Sequence, residues 1–132
     1  MVKFIGIVDD DAEILEVYSV MLQGLSLKYG YEVKTFLRSM DFIKFVESLR
    51  EEVSDAVLLA DINMPGMDGL SLLDYCHSNH PNIKVIMQTG MNEPNYVRKA
   101  FQSGASDYFI KPIDFRALIS RIENKIEKEC FH

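Results

Sequence analysis

The sequence predicts an α/β fold in which five parallel β-strands alternate with helices. Short apolar runs recur along the 132 residues, and longer segments with helical periodicity separate them. This alternation is the pattern of parallel strands joined by crossover helices. With 48% hydrophobic residues, the chain can form one core, so we expect one domain spanning residues 1–132.

The five predicted strands differ in how apolar they are. They cover residues 3–8, 31–36, 56–60, 83–88 and 107–110. The first, third and fourth are almost entirely apolar, as expected for central strands covered on both faces. The second, YEVKTF, alternates polar with apolar residues. This alternation predicts a strand at the edge of the sheet.

Helical segments are predicted over residues 12–29, 40–50, 68–78, 94–103 and 114–128. The last is the most regular, because its apolar residues form one stripe: Phe115, Leu118, Ile119, Ile122 and Ile126. Asp114 stands where a helix N-cap belongs, and Gly30 and Gly104 stand where helices often end in a left-handed residue. Gly24 conflicts with a continuous first helix, since glycine costs about 1 kcal/mol relative to alanine. That helix therefore either tolerates Gly24 or ends early.

Charge, hydropathy and cysteine content argue against several classes of protein: nucleic-acid-binding, secreted and membrane-spanning. The net charge of −6 and the pI near 5.0 argue against direct nucleic-acid binding, which needs clustered Lys and Arg. The apolar start MVKFIGIV is interrupted by three aspartates, so it predicts a strand and not a signal peptide. No apolar run approaches the ~18 residues of a membrane span. With only Cys76 and Cys130, we expect a reduced, cytoplasmic protein without membrane contact.

Polar side chains follow four of the five predicted strands, at the point where each strand ends. They are Asp9, Asp10 and Asp11 after the first strand, Asp61 after the third, Thr89 after the fourth and Lys111 after the fifth. In an open parallel sheet, functional groups gather outside the carboxyl ends of the strands. We therefore expect these side chains to share one site.

The residue types at this edge favour magnesium and phosphate chemistry. Carboxylates brought close together repel unless a cation lies among them, and oxygen ligands without His or Cys favour Mg²⁺. Lys111 supplies a point charge suited to a phosphate. An aspartate beside Mg²⁺ and a lysine can act as a nucleophile toward phosphorus. After Asp61, Pro65, Gly66 and Gly69 allow backbone angles that bring main-chain groups close to an ion or phosphate.

Four sequence blocks together match one known family. They are IVDDD at 7–11, DINMPGMDG at 61–69, MQTG at 87–90 and GASDYFIKP at 104–112. In these blocks the chain resembles the receiver (CheY-like) domain of two-component response regulators over essentially its full length. The resemblance implies a flavodoxin-like three-layer sandwich with strand order 2-1-3-4-5.

The resemblance also implies roles for individual residues. Asp61 corresponds to the phosphorylated aspartate, and Thr89, Tyr108 and Lys111 correspond to the switch and phosphate-binding residues. The metal ligands implied for Mg²⁺ or Mn²⁺ are Asp9, Asp10, Asp61 and the main-chain carbonyl of Asn63. Small departures from the family pattern are Gly90, where alanine is usual, and extra length that we place in the segment ESLREEVSD.

The partners implied are a sensor histidine kinase or phosphotransfer protein and a downstream target protein or fused output domain. The face expected to switch carries Lys99, Asp107 and Arg121, on the fourth helix, fifth strand and fifth helix. Exposed charges there are equally consistent with an ordinary solvated face, so a phosphorylation-linked dimer through this face remains open.

Three simpler or rival interpretations stand beside this one. A receiver-like scaffold would bind partners constitutively without phosphorylation. An aspartate-nucleophile phosphatase would use Asp9 and Asp11, although that motif calls for Thr or Val where the chain has Glu13. Cys76, His77 and His80 suggest a metal site, but histidine is also favoured at a helix C-terminus, and Pro81 follows. We expect no turnover of an external substrate.

Overall fold

The computed structural model describes residues 2–62, 66–90 and 94–126. In these ranges the strands are β1 (Val2–Val8), β2 (Glu32–Phe36), β3 (Val53–Asp61), β4 (Ile83–Thr89) and β5 (Asp107–Ile110). The helices are α1 (Ala12–Met21), α2 (Gln23–Tyr29), α3 (Ser39–Ser48), α4 (Gly69–Asn79), α5 (Pro94–Gln102) and α6 (Phe115–Lys125). Within the described segments, no helix combines the length and apolarity that crossing a membrane requires.

All five strands form one parallel sheet in the order β2-β1-β3-β4-β5. The predicted α/β fold and strand order are therefore confirmed. The β2 strand lies at one edge, as its alternating sequence predicted, while the more apolar β1, β3 and β4 are internal. Parallel pairing brings the carboxyl ends of all five strands to the same side of the molecule.

Helices cover both faces of the sheet, which confirms the three-layer arrangement. Alternate residues of each strand point to opposite faces, so Phe4 of β1 belongs to one hydrophobic core and Ile5 to the other. The first core includes buried residues of α3, α4 and α5. The second includes buried residues of α1, α2 and α6, among them Leu118 and Ile122 of the predicted apolar stripe.

The structure decides one helix boundary that the sequence left open, and it corrects one strand boundary. The helix predicted over residues 12–29 is divided into α1 and α2 at Leu22, which is fully buried and has φ −95° and ψ −1°. The chain thus bends at Leu22, two residues before Gly24. Glycine has a low helix propensity, so the bend lies close to the weakest point of the predicted helix. The β3 strand begins at Val53 and not at residue 56 as predicted, so the last residues of the segment ESLREEVSD belong to the sheet.

The predicted helix ends are confirmed. The Asp114 carboxylate accepts hydrogen bonds from the backbone N–H groups of Arg116 and Ala117, as an N-cap does. Gly30 ends α2 with φ +74°, a conformation that favours glycine. Gly104 has φ +103°, and a Cβ atom there would lie 2.5 Å from the His77 ring. The backbone angle therefore favours glycine at position 104, and a larger residue would also have to displace the exposed His77 ring.

Candidate phosphoryl-acceptor site

The predicted site residues that the structure describes do come together at the carboxyl edge of the sheet. Asp9 and Asp10 follow β1, Asp61 ends β3, Thr89 ends β4 and Lys111 follows β5. Hydrogen bonds between backbones hold these ends in place. The Lys111 N–H donates to the Thr89 carbonyl over 2.8 Å, and the Ile62 N–H donates to the Gln88 carbonyl over 3.0 Å.

Three carboxylates converge at this edge. One carboxylate oxygen from each of Asp9, Asp10 and Asp61 lies within 4.8 Å of the others. Asp9 and Asp61 are buried, with 1% and 8% of their surface exposed, whereas Asp10 is exposed. The cluster is therefore open to solvent on one side and enclosed by protein on the other.

The Lys111 side chain is the cation of the site. Its Nζ atom lies 2.8 Å from Oδ2 of Asp61 and 3.3 Å from Oδ2 of Asp9. Burial lowers the pKa of Lys111, but the hydrogen bond and charge of Asp61, with a further contribution from Asp9, raise it overall. Lys111 is consequently charged throughout the physiological range.

The Asp9 carboxylate lies in an unfavourable environment for a negative charge. Burial raises the pKa of Asp9, and the nearby charge of Asp61 acts in the same direction. The Asp11 N–H, which donates to Asp9 Oδ1 over 3.0 Å, and the Lys111 ammonium oppose this effect without reversing it. A bound cation would relieve the remaining repulsion between the carboxylates.

The donor set fits Mg²⁺ or Mn²⁺. The candidate ligand atoms are carboxylate oxygens, which are hard ligands, and no His or Cys of the described residues accompanies them. The fourth predicted ligand, Asn63, lies outside the described residues, as do Met64 and Pro65.

Asp11 has a different role from its two neighbours. It is the N-cap of α1, and its carboxylate accepts hydrogen bonds from the N–H groups of Glu13 and Ile14. The acid that accompanies Asp9 at the site is therefore Asp10 and not Asp11. This arrangement does not match the Asp9-x-Asp11 pair that the phosphatase interpretation requires.

Thr89 and Tyr108 lie on the same face of the sheet, on neighbouring strands. Tyr108 pairs in register with Met87, two residues before Thr89, and packs against the core that contains Met87. Thr89 is fully buried, while Tyr108 is partly exposed. A movement at the end of β4 would therefore be transmitted to Tyr108 through Met87, which neighbours both Thr89 and Tyr108.

The loop after Asp61 depends on glycine for two different reasons. Gly66 has φ +81°, the unusual backbone angle that the sequence predicted. Gly69 does not share this property. A Cβ atom there would lie 2.3 Å from the Asp61 carbonyl oxygen and 2.8 Å from the Ile62 Cα. Gly69 thus allows the start of α4 to pack directly against the end of β3.

Cys76, His77 and His80 do not form a metal site. Cys76 is fully buried in the core, whereas His77 packs over Gly104. His80 contacts the Tyr75 ring, with centroids 5.6 Å apart. Of the residue ranges described, only the aspartate cluster brings together three or more groups that could hold a metal ion.

The face predicted to bind partners contains an ion pair in which the acid, Asp107, is buried and the Arg121 side chain is half exposed. Asp107 is 8% exposed and receives two hydrogen bonds from Arg121 Nη1, at 3.0 and 2.8 Å. Lys125 Nζ adds a contact of 3.1 Å to the same carboxylate. Asp107 is therefore not part of a freely solvated surface, although Lys99 on α5 is exposed.

Sequence reasoning missed one polar contact beside the site. Gln88 precedes Thr89 and pairs in register with Asp61. Its side chain is buried and accepts a 2.6 Å hydrogen bond from the Tyr18 hydroxyl. The available signal was a glutamine at the end of an otherwise apolar run.

Comparison with known proteins identifies the family to which this arrangement belongs. Residues 5–123 match the model of the response regulator receiver domain. The crystal structure of a CheY-like receiver domain protein from Methanospirillum hungatei is 32% identical and superimposes with a TM-score of 0.80, covering 95% of this chain and 94% of that one. The chain belongs to the receiver domains of two-component response regulators.

Relatives among characterised proteins are regulators of transcription. The DNA-binding transcriptional regulator NtrC of Escherichia coli is 36% identical over 122 residues, which are 92% of this chain and 24% of the relative. The transcriptional regulatory protein ZraR of Klebsiella oxytoca is 35% identical over 112 residues, 85% of this chain and 24% of the relative. The chain thus spans about a quarter of the length of these relatives.

Proposed function

We propose that Asp61 accepts a phosphoryl group from a phosphohistidine on a sensor kinase or phosphotransfer protein. The observation that carries this proposal is the convergence of Asp61 with two further carboxylates and the Lys111 ammonium at one sheet edge. A carboxylate with adjacent positive charge is a suitable acceptor, because phosphoryl transfer depends mainly on positioning and charge neutralisation. Membership of the receiver family supports the same assignment.

The transfer is a displacement at phosphorus. A carboxylate oxygen of Asp61 forms the new O–P bond while the P–N bond of the phosphohistidine breaks, and the leaving imidazole takes up a proton. Lys111, already 2.8 Å from Asp61, is placed to neutralise charge on the phosphoryl oxygens. The acceptor needs no separate general base, since attack by a carboxylate oxygen does not require removal of a proton from it.

Asp9, Asp10 and Asp61 would hold Mg²⁺ or Mn²⁺, with the Asn63 carbonyl as the further ligand implied by the family. When bound, the ion supplies charge neutralisation for the phosphoryl oxygens. The two acids after β1 keep their carboxylates beside Asp61, and Lys111 limits the repulsion among them.

Phosphorylation would bias a two-state equilibrium of the domain. The Thr89 hydroxyl is proposed to donate a hydrogen bond to the phosphoryl group. The Tyr108 side chain then changes its packing in response to the movement of Thr89. The surface of α5, β5 and α6 would then change its affinity for a target protein, a fused output domain or a second copy of the chain. The negative charge of the chain makes direct contact with nucleic acid by this domain unfavourable. We place this function in the cytoplasm.

The test is the intact mass of the protein after incubation with acetyl phosphate and Mg²⁺. We expect one added phosphoryl group in the wild type and none in Asp61→Asn or in a sample with chelator. Asp68→Asn is a matched control, because Asp68 caps α4 through the Ser71 N–H and is not among the three acids that converge at the site. A folded wild type that gains no mass would refute the proposal and favour a constitutive scaffold.

A further inference from the structure

The hydrogen bond between Tyr18 and Gln88 is buried beside the second hydrophobic core, to which Tyr18 belongs. Tyr18 is 3% exposed and Gln88 is 1% exposed. The Tyr18 hydroxyl donates to Gln88 Oε1 over 2.6 Å. Among the residues that the structure describes, the Gln88 Nε2 atom has no hydrogen-bond partner. An apolar side chain at position 88 would avoid burying this donor, so packing alone does not explain the glutamine.

Gln88 occupies the last paired position of β3 and β4, at the carboxyl end of the sheet. It stands opposite Asp61 in the register and directly precedes Thr89. Its carbonyl accepts the N–H of Ile62, and the next carbonyl accepts the N–H of Lys111. A displacement of Gln88 would therefore move the ends of three strands that carry site residues.

Tyr18 connects Gln88 to the other parts of the site. It lies on α1, which begins immediately after the three aspartates. Its ring packs edge-on against Phe115 at the start of α6, with centroids 5.3 Å apart. Tyr18 and Lys111 also line the same cavity of about 350 Å³.

The phenol remains a hydrogen-bond donor across the working pH range. Burial raises the pKa of Tyr18 to about 12, while the charge of Lys111 opposes this and the charge of Asp9 adds to it. Tyr18 is therefore close enough to Lys111 and Asp9 to interact with their charges.

We propose that Tyr18 and Gln88 are positioning residues for phosphoryl acceptance, because their hydrogen bond fixes the end of β4 relative to α1 and Asp61. This inference rests on the proposed function. A small misplacement of reacting groups lowers a rate strongly even when its cause lies outside the chemistry. Neither residue is among those proposed to bind the phosphoryl group or the metal ion.

The test uses Tyr18→Phe, Gln88→Met and the double variant. Phosphoryl uptake is followed by intact mass with acetyl phosphate, a small donor that requires no protein docking, and stability is followed by urea unfolding. Each single variant should be slower by about tenfold. The double variant should recover stability, because both polar partners are removed together, yet remain about as slow as either single variant.

A merely structural contact gives a different result. In that case the uptake rate follows stability, and the stable double variant regains the wild-type rate, which would overturn the proposal. Wild-type rates in all three folded variants would overturn it as well.

Hydrogen exchange distinguishes failure of this inference from failure of the proposed function. If the wild type takes up no phosphoryl group, the proposed function fails. The effect of the Tyr18–Gln88 hydrogen bond on the strand ends is then tested separately by the hydrogen-exchange rates of the Ile62 and Lys111 amides. In Tyr18→Phe these amides should exchange faster, while the Ala56 amide, bonded to Asn82 at the opposite end of the strands, should not. Unchanged exchange at Ile62 and Lys111 would overturn the inference.

Discussion

The ammonium nitrogen of Lys111 lies 2.8 Å from Oδ2 of Asp61, so the cation contacts the proposed acceptor before any phosphoryl group arrives. Only 27% of the Lys111 side chain and 11% of the Asp61 side chain are exposed. Charge interactions are stronger in such partly enclosed surroundings than in water. The site is thus organised in advance for a ligand that carries negative charge.

Replacing Lys111 with methionine should slow phosphoryl uptake by about 100-fold, because a preorganised positive group is lost. Uptake is measured as the intact mass against time in acetyl phosphate and Mg²⁺. Lys111→Arg keeps the charge but not the compact geometry, so an intermediate rate is expected. A Lys111→Met rate equal to wild type would show that the lysine does not act on the transferred group.

Replacing Gly69 with alanine should destabilise the protein by about 3 kcal/mol or more, since the added carbon meets main-chain atoms that cannot move aside. Gly24→Ala is the matched control. A Cβ atom at Gly24 meets nothing within 4 Å, and alanine should stabilise α2 by about 0.5–1 kcal/mol. Urea unfolding measures both. Equal effects of the two substitutions would contradict the close contact between α4 and β3.

The strand ends were predictable from sequence because their signal is local. An apolar run followed at once by Asp9, Asp61 or Lys111 predicts both the strand and the edge at which it ends. The strand order and the individual roles came from the resemblance, because several strand orders can accommodate the same alternation of elements. The break at Leu22 was not predictable in detail, since burial of that side chain depends on the α6 layer and the sheet together.

The sequence did not indicate which distant residues would be in contact. Gly69 appears in the sequence as a turn glycine, and its closeness to the Asp61 carbonyl depends on how α4 packs. The Tyr18–Gln88 hydrogen bond joins residues 70 positions apart. Asp107 appeared to be a surface charge, and only the position of α6 shows that Arg121 and Lys125 enclose it.

Replacing Asp107 with asparagine should destabilise the protein at neutral pH by about 1–3 kcal/mol, because hydrogen bonds to a charged group are lost. Burial raises the pKa of Asp107, but Arg121, the Tyr108 N–H and Lys125 lower it overall. A lowered pKa in the folded state stabilises the protein above the ordinary value of 3.8. This contribution disappears as the pH falls below that value and through the folded pKa.

The destabilisation caused by Asp107→Asn should therefore diminish in acid. Urea unfolding of wild type and variant is compared at pH 7 and at pH values below 3.8. Asp74→Asn, at an exposed position on α4, serves as the control and should change stability little at either pH. A difference between wild type and Asp107→Asn that stays constant into acid would show that the carboxylate charge is not what stabilises this face.

Cys76 should make the protein sensitive to alkaline pH. Burial raises the pKa of its thiol from 9.0 to about 12. The unfolded chain therefore releases this proton near pH 9, whereas the folded protein keeps it until about pH 12. The stabilising contribution is complete below pH 9 and is lost as the pH rises toward 12. At pH 10.5 the loss should be about 2 kcal/mol.

Cys76→Ala, compared with its parent in a Cys130→Ser background, isolates this effect. The alanine variant begins less stable at pH 8, because it leaves a small cavity in the core. Its free energy of unfolding should nevertheless fall by about 2 kcal/mol less than that of the parent between pH 8 and pH 10.5. Other groups that titrate in this range, including Tyr18, are present in both proteins and cancel in the difference. Equal losses in the two proteins would mean that the folded state accommodates the Cys76 thiolate, contrary to its burial between α4 and the sheet.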